Sequence, residues 1–187
     1  DAAIAACGRA QEISQSVIVE RFYQGRDHRI LVVNRRVVAV AERVPAQVVG
    51  NGRDTIAELV AQENADPRRG KGHANLLTQL PLDSATDAML ARQNCSVNTV
   101  LDRDEVCYLR ATANLSTGGT AIDRTDEIHP DNIWLAERIA RMIGLDVAGI
   151  DVVTPDISQP LQAVGGVVVE VNAAPGLRMH LAPSQGM

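Results

Sequence analysis

Aromatic residues are rare in this chain, at 2% of 187 residues. Its formal net charge is −5. So few aromatic rings leave little surface on which successive bases of a nucleic acid could stack. A net acidic chain also lacks the domain-wide basic surface that binds phosphate backbones irrespective of sequence. The core must therefore be built from aliphatic side chains, and nucleic-acid binding is not expected.

Cysteines and long hydrophobic runs are also lacking. Cys7, Cys95 and Cys107 are too few and too scattered for a disulfide framework or a zinc site, so they are interpreted as small buried hydrophobic residues in a reducing cytosol. No apolar run has the length of a membrane span, and no signal peptide is recognised at the start. We expect a cytoplasmic protein of one large domain or two small lobes.

Hydrophobic periodicity predicts an α+β fold with a mixed, mostly antiparallel sheet and packed helices. The predicted helices cover 1–16, 55–64, 86–92 and a segment from Asp126 or Pro130 to Gly144, with Thr55 or Asp54 as a cap and Trp134 in the core. The predicted strands cover 17–19 (ending at Glu20), 29–33, 37–41, 108–110, 147–153 and 167–171, with a hairpin turn at Asn34-Arg35.

Two carboxylates interrupt the last two predicted strands. Asp151 lies in one apolar run, and Glu170 lies in the next, two positions before Asn172. Because alternate strand residues share a face, Glu170 and Asn172 point the same way, about 7 Å apart. Their oxygens, together with those of Asp151, suit Mg²⁺. The alternative is that arginines or backbone donors satisfy both carboxylates.

Three other features indicate anion binding. Arg29 opens an apolar strand, and its guanidinium suits a carboxylate or phosphate, although it could equally lie along the surface. The loop from Asn114 to Gly119 contains small residues whose backbone N–H groups could cradle an anion, although a plain turn explains it as well. The basic run 66–73 could attract an anionic polymer or form a solvated face.

These motifs resemble a known family. Asp151, Glu170-x-Asn172 and Pro175-Gly176 are similar to the metal-binding end of ATP-grasp carboxylate–amine ligases. Longer stretches at 17–33, 66–73, 113–132 and 170–186 resemble the members of that family that polymerise aspartate. The resemblance covers nearly the whole chain.

The resemblance implies the C-terminal part of an ATP-grasp fold, with ATP between an adenine-binding hinge and the metal strands. Glu20, Tyr23, Asp27 and Arg43 would contact the nucleotide, and Asp151, Glu170 and Asn172 would hold Mg²⁺. Arg29 and Arg110 would serve catalysis, and the remaining implied substrate contacts, shared with Arg29, are Asn114, Ser116, Gly118 and Arg178.

The implied reaction joins the C-terminal carboxylate of a polyaspartate primer to free aspartate through an acyl phosphate, with ATP as phosphoryl donor. The resemblance further implies a bacterial homo-oligomer with a second, Mur-ligase-like module that adds arginine. Residues 1–182 would be a partial ATP-grasp domain without its glycine-rich lid, and 183–187 would begin a linker. The chain alone is expected to bind ATP weakly and to be almost inactive.

Two alternatives remain open at this point. The first is another ATP-grasp peptide ligase, either glutathione-synthetase-like or glutamate-adding. The second is a non-catalytic module that has kept the fold.

Overall fold

A computed structural model describes residues 2–71 and 75–186. Its strands are β1 (Arg26–Val33), β2 (Arg36–Val44), β3 (Gln47–Val49), β4 (Arg69–Gly70), β5 (Leu77–Thr78), β6 (Val106–Tyr108), β7 (Thr120–Asp123), β8 (Val147–Thr154) and β9 (Val167–Asn172). Its helices are α1 (Ala2–Gln11), α2 (Ile56–Asn64), α3 (Ser84–Arg92), α4 (Pro130–Ile143), α5 (Leu161–Val164) and α6 (Arg178–Leu181), with a 3-10 turn at Leu115–Thr117.

A five-stranded sheet in the order β7-β2-β1-β8-β9 forms the centre of the larger lobe, and each of its neighbouring strands runs antiparallel. The hairpin of β1 and β2 turns at Asn34 and Arg35, whose φ values are 49° and 63°. Positive φ at both central residues is the geometry of the two-residue turns that match strand twist. The α+β fold with a mostly antiparallel sheet is confirmed.

One face of the central sheet packs against α4. Ile30, Val40 and Ile150 from the sheet join Ala136 and Ala140 of the helix in one core. Small alanines let the helix approach the sheet closely. As predicted, α4 starts at a proline and ends at a glycine, because proline suits the first turn and Gly144 adopts a left-handed φ of 83°.

The prediction that Trp134 belongs to the core is wrong. Its side chain is 59% exposed, and the guanidinium of Arg138 lies 5.0 Å from the centre of its ring. Helical geometry explains the difference: Asn132, Ala136 and Ala140 are the buried positions of α4, and Trp134 projects from another side of the helix.

A smaller lobe, residues 45–110, has a core of its own. The pairs β3–β6 and β4–β5 are antiparallel and parallel respectively. Thr55 caps α2 as predicted: its hydroxyl accepts from the backbone N–H of Glu58, whose side chain accepts from the N–H of Thr55. The predicted contact face of α2, Ile56, Leu59 and Val60, is buried in this core.

The first 25 residues depart most from prediction. Helix α1 stops at Gln11, and residues 17–20 form no strand within the part of the chain that the structure describes. Ile18 and Val19 are each 82% exposed. An apolar run becomes a strand only when another strand takes up its backbone hydrogen bonds. The predicted strand ending at Glu20 is therefore wrong.

Within residues 2–71 and 75–186, no helix is both long and apolar enough to cross a membrane. Gly72 and His73, the end of the predicted basic run, lie outside the described residues.

Candidate nucleotide and metal site

A cavity of about 670 Å³ opens on the face of the central sheet opposite α4, beside the smaller lobe. We call it the sheet cavity. Six residues singled out in the sequence line it: Tyr23, Asp27, Arg43, Asn114, Asp151 and Glu170. The structure thus brings together side chains from the segment before β1, from four strands and from the loop before β7. This volume falls within the range that accommodates small ligands and cofactors.

Strand register explains why the charged residues meet. Arg29 pairs with Asp151 across β1 and β8, and Asp151 pairs with Glu170 across β8 and β9. Asp27 pairs with Arg43 across β1 and β2. Residues directly opposite in neighbouring strands point to the same face. The charged side chains therefore form adjacent rows on the cavity side of the sheet.

Asp151 is the centre of an ion-pair network. The residue is 4% exposed, and its two carboxylate oxygens accept from Nε and Nη2 of Arg29. Nη2 of Arg43 donates to Asp151 at 3.0 Å, and Nε of Arg43 donates to Asp27 at 2.9 Å. Arginine satisfaction of a buried carboxylate, one of the two alternatives from the sequence, is thus present for Asp151.

The carboxylate of Asp27 loses part of its hydration because the residue is partly buried. Burial raises the pKa of its carboxyl group, because the loss of water outweighs the hydrogen bond and charge of Arg43. Its side chain is 33% exposed, whereas that of Asp151 is 6% exposed. Asp27 therefore lies at the rim of the network, where it can meet a ligand in the cavity.

Glu170 and Asn172 differ from Asp151 in being accessible. The amide Nδ2 of Asn172 donates to Oε1 of Glu170 at 3.0 Å, so the two side chains are in contact. Each carboxylate oxygen can accept more than one hydrogen bond or metal bond. Asp151, Glu170 and Asn172 offer hard oxygen atoms of the type that Mg²⁺ takes alongside phosphate and water, and both oxygens of Asp151 already accept from arginines. Among the described residues, no group of three or more His, Cys, Asp or Glu side chains is placed to hold a metal ion.

The loop after β9 closes over the same face. Gly149, which pairs with Asn172, has no side chain, and a Cβ there would lie 2.6 Å from Cβ of Pro175 and 3.0 Å from Cδ of Arg29. Glycine at this position lets Pro175 pack directly over β8, next to the Arg29–Asp151 pair.

Several predicted site residues are not at the cavity wall in the described part of the chain. Nη2 of Arg110 donates to Asp83 at 2.7 Å and its Nη1 donates to Thr86 at 2.6 Å, which fixes it to the start of α3. Arg178 donates to the carbonyl of Asn75 and the hydroxyl of Thr78.

The other predicted residues outside the wall lie in four places, and one of them is Asn172, at the end of β9 beside the wall residue Glu170. Glu20 is exposed in the segment before β1, and Arg29 is buried directly behind the wall residue Asp151. Ser116 belongs to the 3-10 turn, and Gly118 follows that turn with a φ of 94°.

Apolar wall residues of the sheet cavity were missed in the sequence. Tyr108, Val153 and Val169 line it, and Val169 is 61% exposed. Exposed apolar side chains beside a cluster of charges suit a ligand with one flat apolar part and one anionic part. Valines within strands look like core residues in a sequence, so no signal distinguished them.

The chain is similar in sequence to cyanophycin synthetases and to glutathione biosynthesis proteins. No family model matches it. It is 62% identical to cyanophycin synthetase of Trichormus variabilis over 183 residues, which is 98% of this chain and 20% of that protein. Cyanophycin synthetase of Synechocystis sp. is also 62% identical, over 99% of this chain and 21% of its own length. The chain thus spans about one fifth of these relatives.

Glutathione biosynthesis proteins are more distant relatives. The bifunctional protein GshAB of Clostridium perfringens is 36% identical over 91% of this chain and 22% of its own length. The crystal structure of a bifunctional glutathione synthetase from Pasteurella multocida matches with a TM-score of 0.77 and 36% identity, covering 89% of this chain and 22% of that one. The chain therefore has the ATP-grasp fold, and the expected resemblance to cyanophycin synthetase is confirmed.

Proposed function

We propose that this chain supplies the sheet cavity as the ATP and Mg²⁺ site of an ATP-dependent ligase that joins a carboxylate to an amine. Within that reaction, the carboxylate is the C-terminus of a polyaspartate chain and the amine is that of free aspartate. The ATP-grasp fold and the similarity to cyanophycin synthetase support the ligase class.

One observation supports the cavity more than any other. Asp27, Arg43, Asp151 and Glu170 converge on one wall from four neighbouring strands. Burying ion pairs adds little to stability compared with an apolar core, so a structural role alone does not account for them. A polyanionic nucleotide with its metal ion requires both cations and carboxylates in one place.

The positions of the cavity residues indicate a different role for each. Tyr23 and Val169 offer apolar surface to a base, and Asp27 at the rim can accept from ribose hydroxyls. Mg²⁺ bound to Asp151, Glu170 and Asn172 would supply positive charge against the phosphates. Arg29 and Arg43 orient Asp151 through their hydrogen bonds and add positive charge beside it.

The chemistry requires placement and charge but no protein nucleophile. A carboxylate oxygen takes the γ-phosphoryl group and ADP leaves. The amine then attacks the acyl phosphate, phosphate leaves, and the amine loses a proton to give the amide. We propose that Arg110, Asn114, Ser116, Gly118 and Arg178 contact this substrate and that Glu20 contacts the nucleotide. Arg29, buried beside Asp151, would act on the substrate through the positive charge that it adds there.

The test uses Glu170→Gln in the intact protein that carries this chain. We expect ADP release with aspartate and primer to fall by at least a hundredfold, because the substitution removes one metal-binding charge. The matched control is Asp131→Asn. Asp131 is exposed on α4, on the side of the sheet away from the cavity, so this variant is expected to keep full activity. Unchanged ADP release in Glu170→Gln contradicts the proposed site.

The similarity to GshAB and to the glutathione synthetase structure favours a second candidate, a smaller peptide ligase. Parallel assays with aspartate plus primer and with γ-glutamylcysteine plus glycine separate the two. ADP release only with aspartate plus primer supports the polymerising ligase. Release only with the glutathione precursors supports the alternative.

A further inference from the structure

A buried arginine of the smaller lobe contacts the loop from Asn114 to Gly119, which we call the substrate loop. Arg69 lies in β4, and its side chain is buried. Its Nη1 donates to the carbonyl of Thr78 in β5 at 2.8 Å and to the carbonyl of Gly118 in the substrate loop at 3.4 Å. One guanidinium group thus joins the smaller lobe to a loop that is proposed to contact the carboxylate substrate.

The substrate loop packs closely against the smaller lobe at the same place. A Cβ on Gly118 would lie 2.8 Å from Cδ2 of Leu80 and 3.3 Å from the carbonyl oxygen of Gln79. The backbone of Leu80 is fixed in turn by Asn64 at the end of α2, whose Oδ1 accepts from its N–H at 2.7 Å and whose Nδ2 donates to its carbonyl at 2.9 Å. The position of the loop therefore depends on that of residues 78–80.

The strand β5 also contacts a second proposed substrate residue. Nη2 of Arg178 donates to the hydroxyl of Thr78 at 3.3 Å, and its Nη1 donates to the carbonyl of Asn75 at 3.1 Å. Arg69 binds the carbonyl of Thr78, and Arg178 binds its hydroxyl. Thr78 is therefore the residue through which Arg69 influences Arg178 as well as the substrate loop.

Stability alone does not account for a buried arginine at this position. Nη2 of Arg69 lies 3.3 Å from Glu63, whose side chain is 53% exposed. Nε of Arg69 is buried and has no hydrogen-bond partner among the described residues. Burying a charged group with incomplete pairing costs free energy. The planar guanidinium group can, however, donate to several acceptors in fixed directions, which a lysine ammonium group does less well.

We propose that Arg69 is a positioning residue for the carboxylate substrate, because it fixes the Gly118 end of the substrate loop and Thr78 relative to each other. The inference rests on the proposed function, in which the loop and Arg178 contact the polyaspartate chain. Arg69 does not line the sheet cavity, and Asn114, which does, lies at the other end of the loop. Its loss is therefore expected to weaken binding of the polyaspartate primer and to leave ATP binding almost unchanged.

The first experiment measures ADP release by the intact protein that carries this chain, with primer and ATP varied in turn. In Arg69→Gln, the KM for primer is expected to rise about tenfold, whereas the KM for ATP stays within about twofold. Arg69→Lys keeps the charge but not the planar group, so it should restore binding in part. The matched control is Arg68→Gln. Arg68 is exposed and pairs with Asp66, so this variant is expected to keep both KM values.

The second experiment does not depend on activity. The N–H groups of Gly118 and Gly119 donate to Leu115 and Asn114 within the substrate loop, so their hydrogen exchange reports how firmly the loop is held. Mass spectrometry of the ligand-free protein is expected to show faster exchange at 114–119 in Arg69→Gln but not in Arg68→Gln, with α2 unchanged in both.

Three results would overturn the positioning role of Arg69: an unchanged KM for primer in Arg69→Gln, equal rises in both KM values, or faster exchange throughout the smaller lobe. The last two would show a general structural role. Failure of the unsubstituted protein to release ADP with aspartate and primer would instead contradict the proposed function. The exchange measurement would then still decide whether Arg69 holds the loop.

Discussion

The two faces of the central sheet are built from alternating residues of the same strands, yet they are buried in opposite ways. Ile150 is 0% exposed and packs under α4 among aliphatic side chains. Its neighbour Asp151 is 4% exposed and lies among arginines on the cavity side. One face is a core, and the other is a charged surface enclosed by the smaller lobe and the loop after β9.

This difference separates what folds the chain from what the chain can bind. Aliphatic burial stabilises roughly in proportion to the area removed from water. A buried ion-pair network is often no more stabilising than hydrophobic residues of the same volume. The charged face stabilises the fold no more than an apolar face would. We therefore attribute its charged composition to ligand binding.

Asp151→Ala is expected to have the largest effect on stability. It would leave Arg29 and Arg43 buried beside no carboxylate at that position, which costs about 4 kcal/mol of unfolding free energy. Urea denaturation of both proteins measures the difference. Asp151→Asn is the matched control, because it keeps the volume and one acceptor oxygen and should cost less. An Asp151→Ala protein as stable as the original chain would show that water replaces the carboxylate.

Ile150→Ala tests the opposite face one residue away. Loss of buried aliphatic volume under α4 is expected to cost about 3 kcal/mol by the same urea measurement. Ile150→Val, which removes one methylene, should cost about 1 kcal/mol. A loss for Ile150→Ala as small as that for Ile150→Val would mean that α4 collapses onto the sheet and that this face is less rigid than its packing indicates.

His180 gives the charged face a predicted pH dependence. It lies on α6, and both of its ring nitrogens are buried with no hydrogen-bond partner among the described residues. Burial, and to a lesser degree the positive charge of Arg29, lowers the pKa of His180 to about 4. Because the unfolded chain binds this proton more tightly, the stability contribution is complete above about pH 6.5 and is lost as the pH falls towards 4.

The expected loss is on the order of 2 kcal/mol after allowance for solvent screening. Urea denaturation at pH 7 and pH 4.5 compares the chain with His180→Gln, which lacks the titrating ring. His28, whose pKa burial also lowers, lies on the apolar face and is present in both proteins, so it cancels. An equal pH dependence of the unfolding free energy in the two proteins would show that a group other than His180 causes it.

Features fixed by neighbouring residues could be predicted from the sequence. The cap at Thr55 and the turn at Asn34-Arg35 depend on side chains and φ preferences within a few positions, and both are present. The alternation around Asp151 and Glu170 was sufficient to place the two carboxylates in strands. Interactions between residues close in sequence were therefore sufficient to predict most of the helices and strands.

Features fixed by distant partners could not be predicted. Arg29 and Asp151 are 122 positions apart, and only the strand register makes them a pair. The apolar run at 17–19 suggested a strand, but no partner in the described chain pairs with it. Trp134 was predicted in the core from the i, i+4 apolar spacing of the helix, whereas the helix face that is buried is set by the sheet beneath α4.

Arg124→Gln is expected to have the smallest effect, and it tests whether the apolar face also depends on charge. Nε of Arg124 donates to Glu42 at 2.9 Å, and its own side chain is 23% exposed. A partly solvated pair of this kind contributes about 1 kcal/mol or less, and salt weakens it. Arg26, 3.7 Å from the same carboxylate, stays in place to limit the loss. Urea denaturation in low salt and in 1 M NaCl should show a small difference that shrinks with salt. A loss as large as that of Asp151→Ala would mean that the two faces rely on buried charge equally, and composition alone would no longer identify the functional face.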